Sequence, residues 1–365
     1  MNLPLRVGIV GAPRGGGSIG ALRAVTEVEV AALCDINPAT LAASADANGV
    51  EGRFTDYEQM LDSGVDMVIV ATPMHLHAPQ AIAALERGIH VMSEVTAATD
   101  VDQCIALRDA AVASSAKYMM AENYCYRREN VLVRSLVEHG LFGEIYFGEG
   151  EYIHDVKSLH HTADGKPTWR YYDQVGKRGC TYGTHSLGPV LQWFGERVVS
   201  VSCMGTGART DPEHPMDDTV LMNCVTESGA LIKIRLDMMS NRPHVMDYYS
   251  LQGTKGCYEA PRGFGGKHKI WLADHSDGVE WRSLWDLSDE FMPEIWKNPP
   301  EEARRAGHGG GDYYTVREFV DAILNDTDPP IDIWDTLDFT LPGLISEQSI
   351  LQDGALLPVP DLRVL

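Results

Sequence analysis

Short apolar runs alternate with amphipathic stretches over the first third of the chain. From Arg6 to about Ala121 the runs Val7 to Val10, Val28 to Leu33, Met67 to Val70, Ile89 to Met92 and Tyr118 to Ala121 are brief and rich in branched residues, as buried strands are. Between them Pro38 to Asn48, Pro79 to Arg87 and Val101 to Ser114 carry Ala, Leu and charge at helical spacing. Such alternation predicts an α/β fold with a doubly wound parallel sheet. After Gly140 the pattern changes. Ile145 to Ile153, Val198 to Met204, Val220 to Val225 and Leu231 to Met238 alternate between turn residues, predicting a large, mostly antiparallel open sheet. A helix over Asp312 to Leu324 and an apolar stretch over Leu337 to Leu351 close the chain, with Pro293 to Gly311 as the one long loop. Two domains are expected, residues 1–123 and 124–365.

Length and composition sharpen this picture. A chain of 365 residues suits two domains, each able to bury a core. The formal net charge of -22, from 52 acidic against 30 basic side chains, disfavours nucleic acid or an anionic membrane as a partner, since both would be repelled at long range, and neither is expected. The 7 cysteines are scattered and never in a C-x-x-C arrangement, which argues against a disulfide framework or a zinc knuckle and for a reducing compartment. The start of the chain lacks a basic segment and a cleavage site, and no run reaches the length of a membrane span. A cytoplasmic location is expected.

The first apolar run ends in Gly11-Ala12-Pro13-Arg14-Gly15-Gly16-Gly17-Ser18, where a strand should turn into a helix. In the dinucleotide fingerprint G-x-G-x-x-G the first glycine makes the turn, the second admits the phosphates, and the third packs helix on strand. By spacing the first and third are Gly11 and Gly16, and the second position holds Pro13. Proline has a fixed φ and no N–H, so the loop must deviate or use the amides of Gly15 to Ser18 at the helix N-terminus. About twenty residues on, the second strand ends in Asp35, placed to hold the adenosine ribose hydroxyls and to repel a 2′-phosphate. NAD is therefore the expected cofactor, with Gly11, Pro13, Arg14, Gly15, Gly16 and Asp35 at its site.

A later strand runs into Ala71-Thr72-Pro73-Met74-His75-Leu76-His77, and after a helix comes His90-Val91-Met92-Ser93-Glu94. This resembles the Gfo/Idh/MocA (glucose-fructose oxidoreductase / inositol dehydrogenase) family over essentially the whole chain, including Gly140-x-x-Gly143-Glu144-Ile145 and His308-Gly309-Gly310-x-Asp312-Tyr313. The resemblance implies an N-terminal Rossmann domain and a C-terminal α/β domain whose open sheet binds a sugar and makes oligomer contacts, so a homodimer or homotetramer is expected. It adds Thr72, Pro73, His77, Glu94 and Asn123 to the cofactor site. The family's Glu-Lys-Pro is here Glu94-Val95-Thr96, so the lysine that assists removal of the hydroxyl proton is missing.

Glu122-Asn123-Tyr124-Cys125-Tyr126, Glu151-Tyr152-Ile153-His154-Asp155, Trp169-Arg170 and Tyr182-Gly183-Thr184-His185 resemble one branch of that family, the NAD-dependent glycoside hydrolases typified by alpha-N-acetylgalactosaminidases. Carried over, Tyr182, His185, Tyr126 and Glu94 line the sugar pocket as catalytic residues, and His154, Trp169, Arg170 and His308 bind the substrate. The implied route is transient oxidation at C3, elimination across C2 and C1, water addition and re-reduction, with the cofactor recycled. His185 would take the hydroxyl proton. Tyr182 or Tyr126 would remove the C2 proton, and Glu94 would orient the nicotinamide side or assist the leaving group.

Other readings stay open. Tyr182 to His185 also reads as a plain helix start, capped by Thr184, with Leu187, Val190 and Leu191 facing the core. His154, Asp155, His160, His161 and Cys180 fit no closed metal-ligand spacing, and no metal is expected. A simple sugar or inositol dehydrogenase, with Tyr126 or His185 replacing the lysine, is the alternative enzyme. A non-catalytic dinucleotide-sensing protein is the third reading, suggested by the departures at Pro13 and Val95.

Overall fold

The N-terminal alternation folds as a six-stranded parallel sheet in a computed structural model that describes residues 3–173, 177–211, 216–263, 265–276 and 278–364. The chain forms two units, residues 1–126 with 300–337, and residues 127–299 with 338–365. The first unit holds β1 (Leu5–Val10), β2 (Val28–Cys34), β3 (Gly52–Phe54), β4 (Met67–Val70), β5 (His90–Ser93) and β6 (Tyr118–Met120). Their order is β3-β2-β1-β4-β5-β6, so the winding reverses between β1 and β4. Met67, Val68, Ile69 and Val70 are all buried, as expected for a strand covered on both faces.

The second unit holds β7 (Ile145–Ile153), β8 (Val198–Gly205), β9 (Val220–Thr226), β10 (Leu231–Asp237), β11 (Val245–Gly253), β12 (Gly256–Glu259), β13 (Lys269–Leu272), β14 (Arg282–Ser283) and β15 (Leu357–Pro358). These form one sheet, ordered β14-β13-β12-β11-β7-β10-β9-β8-β15. The β10–β7 pair is parallel and the others are antiparallel, as the long connection from β7 to β10 permits.

The helix Thr184–Phe194 packs on β7. It sits close because β7 carries glycine at alternate positions. A Cβ on Gly148 would lie 2.7 Å from both Val190 and Phe194, and one on Gly150 would lie 2.4 Å from the Ser186 carbonyl oxygen. Two hydrogen bonds fix the helix further: the Tyr249 hydroxyl donates to the His185 carbonyl at 2.5 Å and Trp193 Nε1 to the Asn130 carbonyl at 3.1 Å. Leu187, Val190 and Leu191 are buried as expected, but the N-cap is Gly183, without a side-chain cap, and Thr184 is the first helical residue.

The stretch Pro293 to Gly311 is not one loop. It contains the short helices Glu294–Lys297 and Glu301–Arg305 and a 3-10 turn, His308–Gly310. Glu301 and Glu302 open the second helix and Arg304 and Arg305 close it, matching its dipole. Helices this short leave no periodicity to read. The closing apolar stretch lies in the helix Ile333–Leu351. No helix among the described residues is long and apolar enough to cross a membrane.

Replacing Gly150 with Ala should therefore cost about 1–3 kcal/mol by overpacking. Chemical denaturation should show a lower midpoint with an unchanged slope, and an unaltered midpoint would mean that the helix has slack over β7.

Candidate active site

In the first unit β1 runs straight into Gly11, whose φ of 88° and position, where a Cβ would lie 2.4 Å from the Ala71 carbonyl oxygen, require glycine. The helix Ala12–Gly15 begins at once, with Pro13 in its first turn, where the missing N–H costs no helical bond. This early start corrects the spacing argument. The Gly15 amide donates to the Gly11 carbonyl at 2.9 Å, and a Cβ on Gly15 would lie 2.3 Å from Ile9 Cγ2. Gly15 thus packs helix on strand, whereas Gly16 would meet nothing nearer than Ser44 Oγ at 3.5 Å.

Asp35 follows β2, and its carboxylate accepts from the amides of Ala12 at 3.2 Å and Asn37 at 2.9 Å. After β4, Thr72 donates its hydroxyl to Gln80 Oε1 at 2.6 Å. His77 is fully buried, with its ring nitrogens 2.7 Å from the carbonyl oxygens of Thr96 and Thr72. Burial holds this imidazole below the usual range even though both carbonyls favour its charged form. His77 thereby braces the Thr72-Pro73 turn against the segment after β5.

Arg14, Gly17, Ser18, Glu94, Asn123 and His308 share a cleft of about 260 Å³ in this unit. Arg14 grips Glu94 bidentately, Nε to Oε1 and Nη2 to Oε2, each at 3.0 Å. One expected catalytic residue is therefore held by an expected cofactor residue. His308, expected at the sugar, lines this cleft, with Nδ1 2.9 Å from Asp312 Oδ1. Tyr126 also belongs to this unit and is buried, as is Glu122, which the motif reading quoted without a role and whose Oε1 accepts the Tyr124 amide at 3.2 Å. The close-approach glycines, the strand-to-helix turn and the carboxylate at Asp35 fit a dinucleotide without a 2′-phosphate.

In the second unit the helix Thr184–Phe194 brings His185 to the end of β7. The rings of Tyr152 and His185 lie 5.3 Å apart between centroids, Tyr152 and Tyr182 5.9 Å, and Tyr182 and His185 5.4 Å. Tyr152 stands at the centre of this group, its hydroxyl oxygen hydrogen-bonded to His154 Nδ1 at 2.9 Å. Sequence reasoning gave Tyr152 no role. The available signal was its phase on β7: it continues the Gly148, Gly150 face on which the helix lies. The His154 and His244 rings are 4.5 Å apart, edge to face, and the Asp155 amide donates to His244 Nε2 at 3.3 Å. Arg170 stacks on the neighbouring Trp169 ring at 4.5 Å. No three His, Cys, Asp or Glu side chains among the described residues are grouped to hold a metal ion.

The family model described as Glycosyl hydrolase 109, C-terminal domain, matches residues 126–363, well over half of the chain. The chain belongs to glycosyl hydrolase family 109. The model for the Oxidoreductase family, NAD-binding Rossmann fold, matches residues 5–122 of this family 109 enzyme, and NAD is its cofactor. A Glycosyl hydrolase family 109 protein of Stenotrophomonas maltophilia is 30% identical, with 92% of this chain and 84% of that protein covered. The alpha-N-acetylgalactosaminidase of Tannerella forsythia is 29% identical, with 91% of this chain and 80% of that protein covered. Among solved structures, an oxidoreductase domain protein from Kribbella flavida has a TM-score of 0.85 at 22% identity, covering 99% of this chain and 100% of that one. Levoglucosan dehydrogenase in complex with NADH and levoglucosan has a TM-score of 0.84 at 21% identity, covering 98% and 100%. These likenesses show the same fold.

Burial first, and then the proximity of other basic groups, Arg170 among them, hold the His154 imidazole below its usual value of 6.5, against an opposing pull from Asp155. His154 therefore stays neutral at pH 7 and can accept the Tyr152 proton. As pH falls through the lowered value it becomes protonated and this capacity is lost. The acid limb of kcat/KM should lie below pH 6.5, and His154→Asn should remove that limb. A limb at or above the usual value would contradict the assignment.

Proposed function

We propose that this enzyme cleaves glycosides through transient oxidation of the sugar at C3, elimination of the group at C1, water addition and re-reduction, with no net consumption of NAD. The reading is supported by the two separate proton-handling groups in the second unit, the Tyr152–His154 hydrogen-bonded pair and His185. A dehydrogenase needs one base for one hydroxyl proton. Oxidation followed by elimination needs a second, for the carbon acid beside the new ketone. The paired-carboxylate route finds less support, because Asp155, the acid beside His154, is ion-paired with Lys157 at 3.0 Å.

Bound NAD supplies reversible acceptance of a hydride from the sugar ring. His185 takes the proton of the C3 hydroxyl. Tyr152, relieved of its own proton by His154, takes the C2 proton, and Tyr182 packs against both rings and orients the sugar. Arg170 binds a ring substituent, and Glu94 stays fixed by Arg14 on the cofactor side. An N-acetylhexosaminide is the first substrate class to test, because a relative of 29% identity is called an alpha-N-acetylgalactosaminidase. We further propose a homo-oligomer formed through the sheet face carrying Met204, Leu221 and Leu231, exposed by 68%, 41% and 52%. A reducing cytoplasm suits the free cysteines, all buried except Cys257, which is half-buried.

Purified enzyme given para-nitrophenyl glycosides, para-nitrophenyl α-N-acetylgalactosaminide among them, should release nitrophenol in excess of NAD with no accumulation of NADH. His185→Ala should cut turnover by at least 10²-fold, the usual scale of acid–base catalysis, while still binding NAD. NADH accumulating on free sugars without nitrophenol release would replace this reading with a dehydrogenase.

A further inference from the structure

We infer that His308, oriented by Asp312, is a cofactor ligand whose Nε2 accepts a hydroxyl of the nicotinamide-side ribose. The inference needs only that NAD is bound and does not depend on glycoside cleavage.

The turn that carries His308 is built around this side chain. His308, Gly309 and Gly310 take φ values of 54°, 69° and 101°, so a non-glycine residue is held in the left-handed region beside two glycines that adopt it readily. A Cβ on Gly307 would lie 2.3 Å from Asp312 Oδ2, and one on Gly311 would lie 2.9 Å from the Tyr126 carbonyl oxygen. Glycine at these two positions lets the carboxylate lie against the backbone and the turn sit directly on the segment after β6. The His308 side chain keeps 33% of its surface exposed and lines the cleft with the phosphate loop.

The imidazole has a defined hydrogen-bonding face. Asp312 Oδ1 lies 2.9 Å from Nδ1, so the proton of the neutral ring sits on Nδ1 and Nε2 keeps a lone pair. Asn123 Nδ2 lies 3.2 Å from Nδ1 and 3.4 Å from Nε2. An atom nearly equidistant from both nitrogens cannot lie along the Nε2 lone pair, which points away from Nδ1. The acceptor is left for a ligand donor.

Topology selects the donor. Asp35 marks the adenosine end of the site beyond β2, on one side of β1, whereas Met92 of β5 and Ala121 after β6 line the cleft with His308 on the other side. The nicotinamide half lies on that second side. There its ribose offers hydroxyl donors that an Nε2 lone pair can accept.

Calorimetric titration of the full chain with NAD⁺, ADP-ribose, ADP and AMP tests this. His308→Ala should weaken NAD⁺ and ADP-ribose about five- to tenfold, the loss of one hydrogen bond, and leave ADP and AMP unchanged. His308→Gln, whose amide oxygen reaches the Nε2 position, should restore most of the loss. Asp312→Ala, which frees the tautomer, should fall between wild type and His308→Ala and provides the test if His308→Ala does not fold. Equal weakening of ADP would place His308 on the pyrophosphate and overturn the ribose contact. Unchanged affinity for all four ligands would overturn the cofactor role.

Discussion

Contact between the helix Thr184–Phe194 and two glycines of β7 is the constraint on which the second unit's chemistry depends. Any side chain at Gly148 or Gly150 would lift the helix from the sheet by the width of a methyl group. The helix carries His185 and the strand carries Tyr152 two residues beyond Gly150, so the same contact sets the spacing of the aromatic and imidazole groups. The Tyr249 hydroxyl, bonded to the His185 carbonyl, fixes that residue's backbone from the neighbouring strand. Proton transfer tolerates little positional error. A site held by backbone packing meets that demand better than one held on a loop.

The first unit applies the same device to its ligand. Gly11 and Gly15 are required by the close passage of Ala71 and Ile9, and Gly307 and Gly311 by the close passage of Asp312 and Tyr126. In each case the missing Cβ lets a backbone, a side chain or a carboxylate come within contact distance. The groups so positioned are Asp35, the Arg14–Glu94 pair and the His308–Asp312 pair, spread along the dinucleotide's expected length. Proline in the phosphate loop is tolerated because it falls in the first helical turn, where no carbonyl awaits its N–H.

Much of this was legible in the sequence. Five strands of the first sheet and the long β7, β9 and β10 announced themselves by period and by branched residues, whereas the three-residue β3 is too short to show a period, and the clustered motifs at Tyr182, His185 and Glu94 pointed to the family. Three features were hidden for physical reasons. Gly15 displaced Gly16 as the packing glycine because the spacing rule assumes a loop residue where this chain is already helical. Tyr152 was passed over because a tyrosine in an alternating strand looks like ordinary sheet packing until its face is known. His308 drew attention as a motif residue, but that residues 300–337 return to the first unit is a long-range contact that no local pattern encodes.

The first unit has a nucleotide fold used for redox chemistry, and the second carries tyrosine and histidine suited to moving protons. In the proposed route the sugar loses and regains a hydrogen at C2 during cleavage. The most direct test is to hydrolyse a glycoside substrate in D₂O and examine the free sugar by proton NMR. Deuterium at C2 of the product, together with an unchanged NAD pool, is the predicted result. A product that keeps its original C2 hydrogen would contradict the account, because direct displacement at C1 never breaks that bond.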